Sequence, residues 1–174
     1  MMAMLLKQAK EIRESHGYSG DEKMVPAAFI FGDEITIMML GWKNNKEKYL
    51  MAAAANARAR ETKARSLSFV TDARWVNLAT FCEYFRLDAP NGKNVDRLTS
   101  DYHRILKAHR GEVKNLPREV WEEAIVVFTN GPGIPTILQM APYKEGPNDT
   151  IEWIPREKLD DERGKSDMLT DWWS

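Results

Sequence analysis

The segment AAFIFGDEITIMML, residues 27–40, decides the architecture. Two short runs rich in β-branched and aromatic residues flank Gly32-Asp33. Gly at the first central position suits a type II′ turn, so the segment predicts a β-hairpin. The second arm is apolar on both parities, with Ile35, Ile37 and Met39 on one and Met38 and Leu40 on the other. That pattern predicts a strand covered on both faces, hence central in its sheet.

The elements to either side follow from spacing and punctuation. Residues 3–15, AMLLKQAKEIRES, place Leu5, Ala9 and Ile12 on one face of an amphipathic helix, and HGYSGDEK follows as a loop. After the hairpin, GWKNN breaks the strand, and Asn44 stands three residues before Glu47, a capping-box spacing. It predicts a helix over 45–64. The segment 66–76, SLSFVTDARWV, reads as a strand marked by Leu67, Phe69 and Val70. NLATFCEYFRL has Leu78, Phe81, Cys82 and Phe85 at helical spacing. VDRLTSDYHRILKAHRG predicts a further helix, with Val95, Leu98, Tyr102, Ile105 and His109 on one face, Asn94 as cap and Gly111 as terminator. Residues 122–143 read as two strands around a longer TNGPG loop, and TIEWIP as a last strand. Pro135 and Pro142 suggest an edge position or bulges in the middle of these three.

The order α-β-β-α-β-(α-α)-β-β-β defines an α+β fold. Its expected sheet is mixed, mainly antiparallel, with about five to six strands. At 174 residues the chain fits one domain over 1–155, with 77–117 as a helical elaboration. Residues 156–174 form a polar tail ending in an aromatic pair. A hydrophobic fraction of 43% and a charged fraction of 29% suit a soluble globular protein, and a net charge of −1 gives no global pull towards nucleic acid or membrane. The single cysteine, Cys82, excludes a disulfide framework and a cysteine-based zinc site, and fits a reducing compartment. No run of apolar residues is long enough to span a bilayer, and the N-terminus lacks a signal-peptide pattern, so a cytoplasmic location is expected.

The hairpin, the long helix, FVTDARW, EEAIVVF and TIEWIP together resemble a group of uncharacterised α+β proteins scattered through bacterial and phage genomes. Their pattern is an apolar hairpin, a helix, a strand ending in a Glu-Ala-Trp-like triplet, and a closing β-meander. Here the triplet reads Ala73-Arg74-Trp75, with the acid displaced to Asp72. The resemblance covers roughly residues 27–155, makes 77–117 an elaboration, and implies a fold without implying an activity.

Candidate chemistry is sparse. Asp72 and Arg74 cluster where the 66–76 strand ends, a position that often carries ligands, with Trp75 able to wall a pocket. As a catalytic pair, Asp72 is an acid/base and Arg74 an anion holder. The competing reading is a strand-end ion pair beside a core tryptophan. Arg58 and Arg65 share a face of the first basic helix, and Arg104 and Lys107 lie on the second. These four are the phosphate contacts of a nucleic-acid reading through helices 45–65 and 93–114. Against it, Glu61 can pair with either neighbouring arginine, and cations in a last turn complement the helix dipole. His103 and His109 are six apart, on opposite sides of a helix, so no metal site is expected. GPGIPT joins strand to strand and is a turn rather than a nucleotide fingerprint, and no cofactor is expected. Trp172 and Trp173 predict burial, either by folding back or in a homo-oligomeric or protein contact. The preferred function is a non-enzymatic accessory or interaction domain acting by macromolecular binding. A small enzyme with its site at the end of the 66–76 strand is the runner-up.

Overall fold

The computed structural model describes residues 1–18, 25–155, 162–163 and 172–173. The hairpin forms from β1 (Ala27–Phe31) and β2 (Ile35–Met39), antiparallel with Phe31 opposite Ile35 and Ala27 opposite Met39. Its connection is Gly32-Asp33-Glu34. Gly32 lacks the positive φ that a type II′ turn demands, so the expected turn type is corrected to a three-residue loop.

The remaining elements are α1 (Met2–Ser15), α2 (Asn45–Glu61), β3 (Ser66–Val76), α3 (Leu78–Tyr84), α4 (Val95–Ala108), β4 (Trp121–Gly131), β5 (Ile134–Glu145), β6 (Ile151–Trp153) and the short β7 (Glu162–Arg163). The fold is α+β. Six strands run in the order β2-β1-β3-β4-β5-β6, antiparallel, with β7 against β5. The hairpin's second arm is therefore the edge of the sheet and not its centre. β1 takes the inner place, pairing β3 from Ala27 opposite Val70 to Phe31 opposite Ser66. The β4–β5 connection is also shorter than expected. Only Pro132 and Gly133 separate the strands, and Gly133 has φ +71, the proline-then-glycine combination of a type II turn.

The chain divides into two compact units, Met1–Ala73 with Ile125–Ser174, and Arg74–Ala124. In the first, one sheet face is closed by α2. Asn44 caps this helix by accepting from Glu47 N at 3.0 Å, and Glu47 reaches back to Lys43 N at 2.7 Å. Ala52, Ala55 and Ala59 meet Ala28, Ile30, Leu67 and Phe69. Alanine gives up no side-chain freedom in a helix and keeps the helix axis close to the strands. Trp172 completes this layer. It is 1% exposed, and its indole N–H donates to Asn130 Oδ1 at 2.9 Å. Arg60 donates from Nε to the Trp172 carbonyl at 2.6 Å, so one cation of the basic run holds the returning tail.

The other face carries α1. Its buried side chains are Leu5, Leu6, Ala9 and Arg13, packed with Val70, Ile125, Val127 and Tyr143. Ile12, expected inside, is exposed. The stripe continues from Leu5 and Ala9 by steps of four and lands on Arg13 instead.

The second unit has its own core of Phe81, Cys82, Leu98, Ile105, Leu116, Val120 and Trp121. Asn77 caps α3 by accepting from Thr80 N at 3.1 Å. Asn94 precedes α4 but its side chain binds Asn91 N instead of capping the helix. Val95 and Leu78, expected on apolar faces, are exposed. His109 Nδ1 lies 2.8 Å from Ile105 O, and its ring meets Phe85 edge-on. Burial pushes the Cys82 thiol pKa up, and the Asp101 and Asp88 charges push the same way.

Candidate functional site

Helix α1 packs towards β5 and leaves the β2 edge of its own sheet face exposed. The result is an open groove of about 940 Å³. Leu5, Ala9 and Ile12 form its helical wall, and Phe29, Ile37, Met39 and Val70 its floor. Trp42 also lines it, and Thr71 and Asp72 add polar lining. On β2, Ile35, Ile37 and Met39 are 64%, 56% and 63% exposed. Alternate residues of a strand point to one face, so these three form a continuous aliphatic stripe beside the groove.

The same residues carry the strand's unpaired backbone. Gly32 N donates to Glu34 O and Leu40 N to Pro26 O. In an antiparallel ladder bonding alternates, so the even-numbered residues of β2 bond to β1. The N–H and C=O groups of Ile35, Ile37 and Met39 point to the open edge, where no described strand meets them. β2 also lacks the charge, proline or bulge with which edge strands are ordinarily blunted.

Asp72 is held by a buried network. Its side chain is 7% exposed, and Arg13, 2% exposed, places Nε 3.2 Å from Oδ2. The Tyr143 hydroxyl donates to the carboxylate from 2.8 Å of either oxygen, and itself accepts from Arg13 Nε at 3.1 Å. Arg13 further donates to the carbonyls of Gly17 (2.7 Å) and Tyr18 (3.1 Å), tying the end of α1 to the strand. A carboxylate so engaged positions elements; its oxygens are already taken up by a fixed hydroxyl and guanidinium. The expected Asp72–Arg74 pair does not form. Arg74 lies over the Trp121 ring at 5.6 Å and belongs with half-buried Trp75 to the second unit. Sequence reasoning missed Arg13, although its four-residue spacing from Ala9 marked it as an inward position.

The basic candidates are largely engaged within the chain. Arg58 pairs with Glu61 at 2.9 Å, Arg65 donates to Gly32 O at 2.5 Å, and Arg104 pairs with Asp101 at 2.9 Å, while Lys107 is exposed. Trp172 is spent in the core, and Trp173, packed edge-on to it, remains partly exposed. Among the described residues no three His, Cys, Asp or Glu side chains gather closely enough to hold a metal ion, and no helix is long and apolar enough to cross a membrane. Comparison with known families, curated proteins and solved structures finds no match for this chain.

Proposed function

We propose that this protein is a non-catalytic interaction domain whose open α1 face binds an apolar surface of a protein partner. The observation that carries the reading is the exposed stripe Ile35, Ile37 and Met39 alongside the α1 groove. Full burial of an aliphatic side chain of this size contributes about 1.5–3 kcal/mol, and large contiguous apolar patches on a folded surface mark binding sites. The polar network at Asp72 supports the same reading, since it fixes α1 against β3 and so sets the shape of the groove.

Ile12→Lys tests this. Ile12 is exposed on the helical wall of the groove, so the lysine replaces an apolar lining residue without opening the core. The wild-type chain should enhance the fluorescence of an environment-sensitive apolar dye such as ANS, and I12K should lower that enhancement at unchanged melting temperature. Equal enhancement in both proteins would overturn the groove as a binding surface.

A further inference from the structure

We infer that the partner at the β2 edge is a second copy of this chain, joined as a two-fold dimer by antiparallel pairing of β2 with itself. This rests on the interaction-domain reading above and names its partner. Only the odd-numbered residues Ile35, Ile37 and Met39 present backbone N–H and C=O to the open edge. An added strand must therefore meet them with its own outward residues. A second β2 does so in one full-length register, with Ile37 opposite Ile37 of the second copy and Ile35 opposite Met39. Every outward N–H and C=O of the strand then has a partner, because 35, 37 and 39 all fall at bonded positions.

Side chains and charge favour the same register. The two-fold axis of an antiparallel pair stands perpendicular to the sheet, so both aliphatic stripes fall on one face. Each of their residues then lies opposite an aliphatic neighbour, the pairing that stabilises a sheet. At the ends, exposed Asp33 and Glu34 of one copy come beside Gly41 and Leu40 of the other, two and three residues before exposed Lys43. Opposite charges therefore meet at both ends, and no like charges are opposed. The two grooves become one trough, whose floor includes Ile37 and Met39 from both copies, so each site is completed by its neighbour. The pairing consumes the edge and closes, as a two-fold interface must, instead of propagating into a filament.

The symmetric position supplies the test. Ile37→Lys and Ile37→Glu each oppose like charges across the axis, whereas mixing the two variants opposes Lys to Glu. Sedimentation equilibrium of the full chain should give twice the 20.0 kDa chain mass for wild type, a single chain mass for I37K and for I37E alone, and the doubled mass again for their equimolar mixture. Thermal melts of the three proteins should show that each variant is folded. Wild type sedimenting as one chain would overturn the inference, as would I37K or I37E remaining doubled, or a mixture that stays monomeric. The I12K dye measurement reads the groove separately. A monomeric wild type with I12K-sensitive dye binding would defeat the self-pairing while sparing the groove, and a dimer with I12K-insensitive binding would do the reverse.

Discussion

The two faces of one sheet are finished differently. On the α2 side, alanines at 52, 55 and 59 bring the helix onto Ala28, Ile30, Leu67 and Phe69, and Trp172 returns to close the layer. On the α1 side the helix buries Leu5, Leu6 and Ala9 but leaves Ile35, Ile37 and Met39 uncovered. The closed face has small residues on its helix and large ones on its strands, all inside. The open face keeps large aliphatic residues outside. Hydrophobic content thus says little about whether a face is finished. What distinguishes them is whether a layer of the same chain reaches the patch.

That contrast can be broken in four places. Trp172→Ala should have the largest effect, a loss of about 3–5 kcal/mol in urea unfolding, because it empties a large buried site and removes the indole hydrogen bond to Asn130. A loss near zero would mean that the α2 face is not sealed by the tail. Asp72→Asn should cost a similar amount, about 3–5 kcal/mol, by removing the carboxylate charge that the buried Arg13 guanidinium faces. Unchanged thermal stability there would remove the anchor that shapes the groove. Ala55→Leu should cost about 1–3 kcal/mol by overpacking the closed face, read as a shift of the denaturation midpoint. Ile37→Lys should change the stability of the monomer by no more than about 0.5 kcal/mol, since the side chain already meets water. If the lysine instead cost as much as the leucine, the two faces would be alike and the open face would belong to the core.

Burial also couples the second unit to alkaline pH. The folded chain holds the Cys82 thiol, and by burial the Tyr102 hydroxyl, in their neutral forms, with both pKa values raised. Ionisation then favours the unfolded state once pH exceeds the unfolded thiol value of about 8.5. Stability carried by Cys82 is present below that pH and lost as pH rises through the folded value. Cys82 should therefore resist alkylation by iodoacetamide at neutral pH in the native protein and react in urea.

Much of the fold was legible because it rests on local signals. The hairpin, the Asn44 cap, the 66–76 strand and the two short helices all follow from periodicity and punctuation within a few residues. The faces that departed from expectation share one physical source. An apolar residue shows that burial is favourable but not what provides it. Met38 and Leu40 turn towards the α2-side core, while Ile35, Ile37 and Met39 turn to the part of the α1 face that α1 leaves exposed. A run apolar on both parities therefore reads the same for a central strand as for an edge strand with one open face. At the candidate site, Asp72 was visible as a strand-end acid, but Arg13 and Tyr143 lie 59 and 71 residues away in the chain, and no local pattern joins them.

The stretch MAAAANARARETKAR shows where the division falls. Together with the Asn44 cap it determined a helix: alanines are its best formers, and its charges suit its end. Tertiary structure decided what each charge does. Arg58 pairs with Glu61 one turn away, as spacing allowed, but Arg60 binds the Trp172 carbonyl and Arg65 the Gly32 carbonyl. Helix formation depends on neighbours along the chain, whereas those contacts depend on which distant segments the folded layers bring alongside. Sequence therefore set the elements, and packing decided which of their residues turn inward and that one face closes while the other stays open.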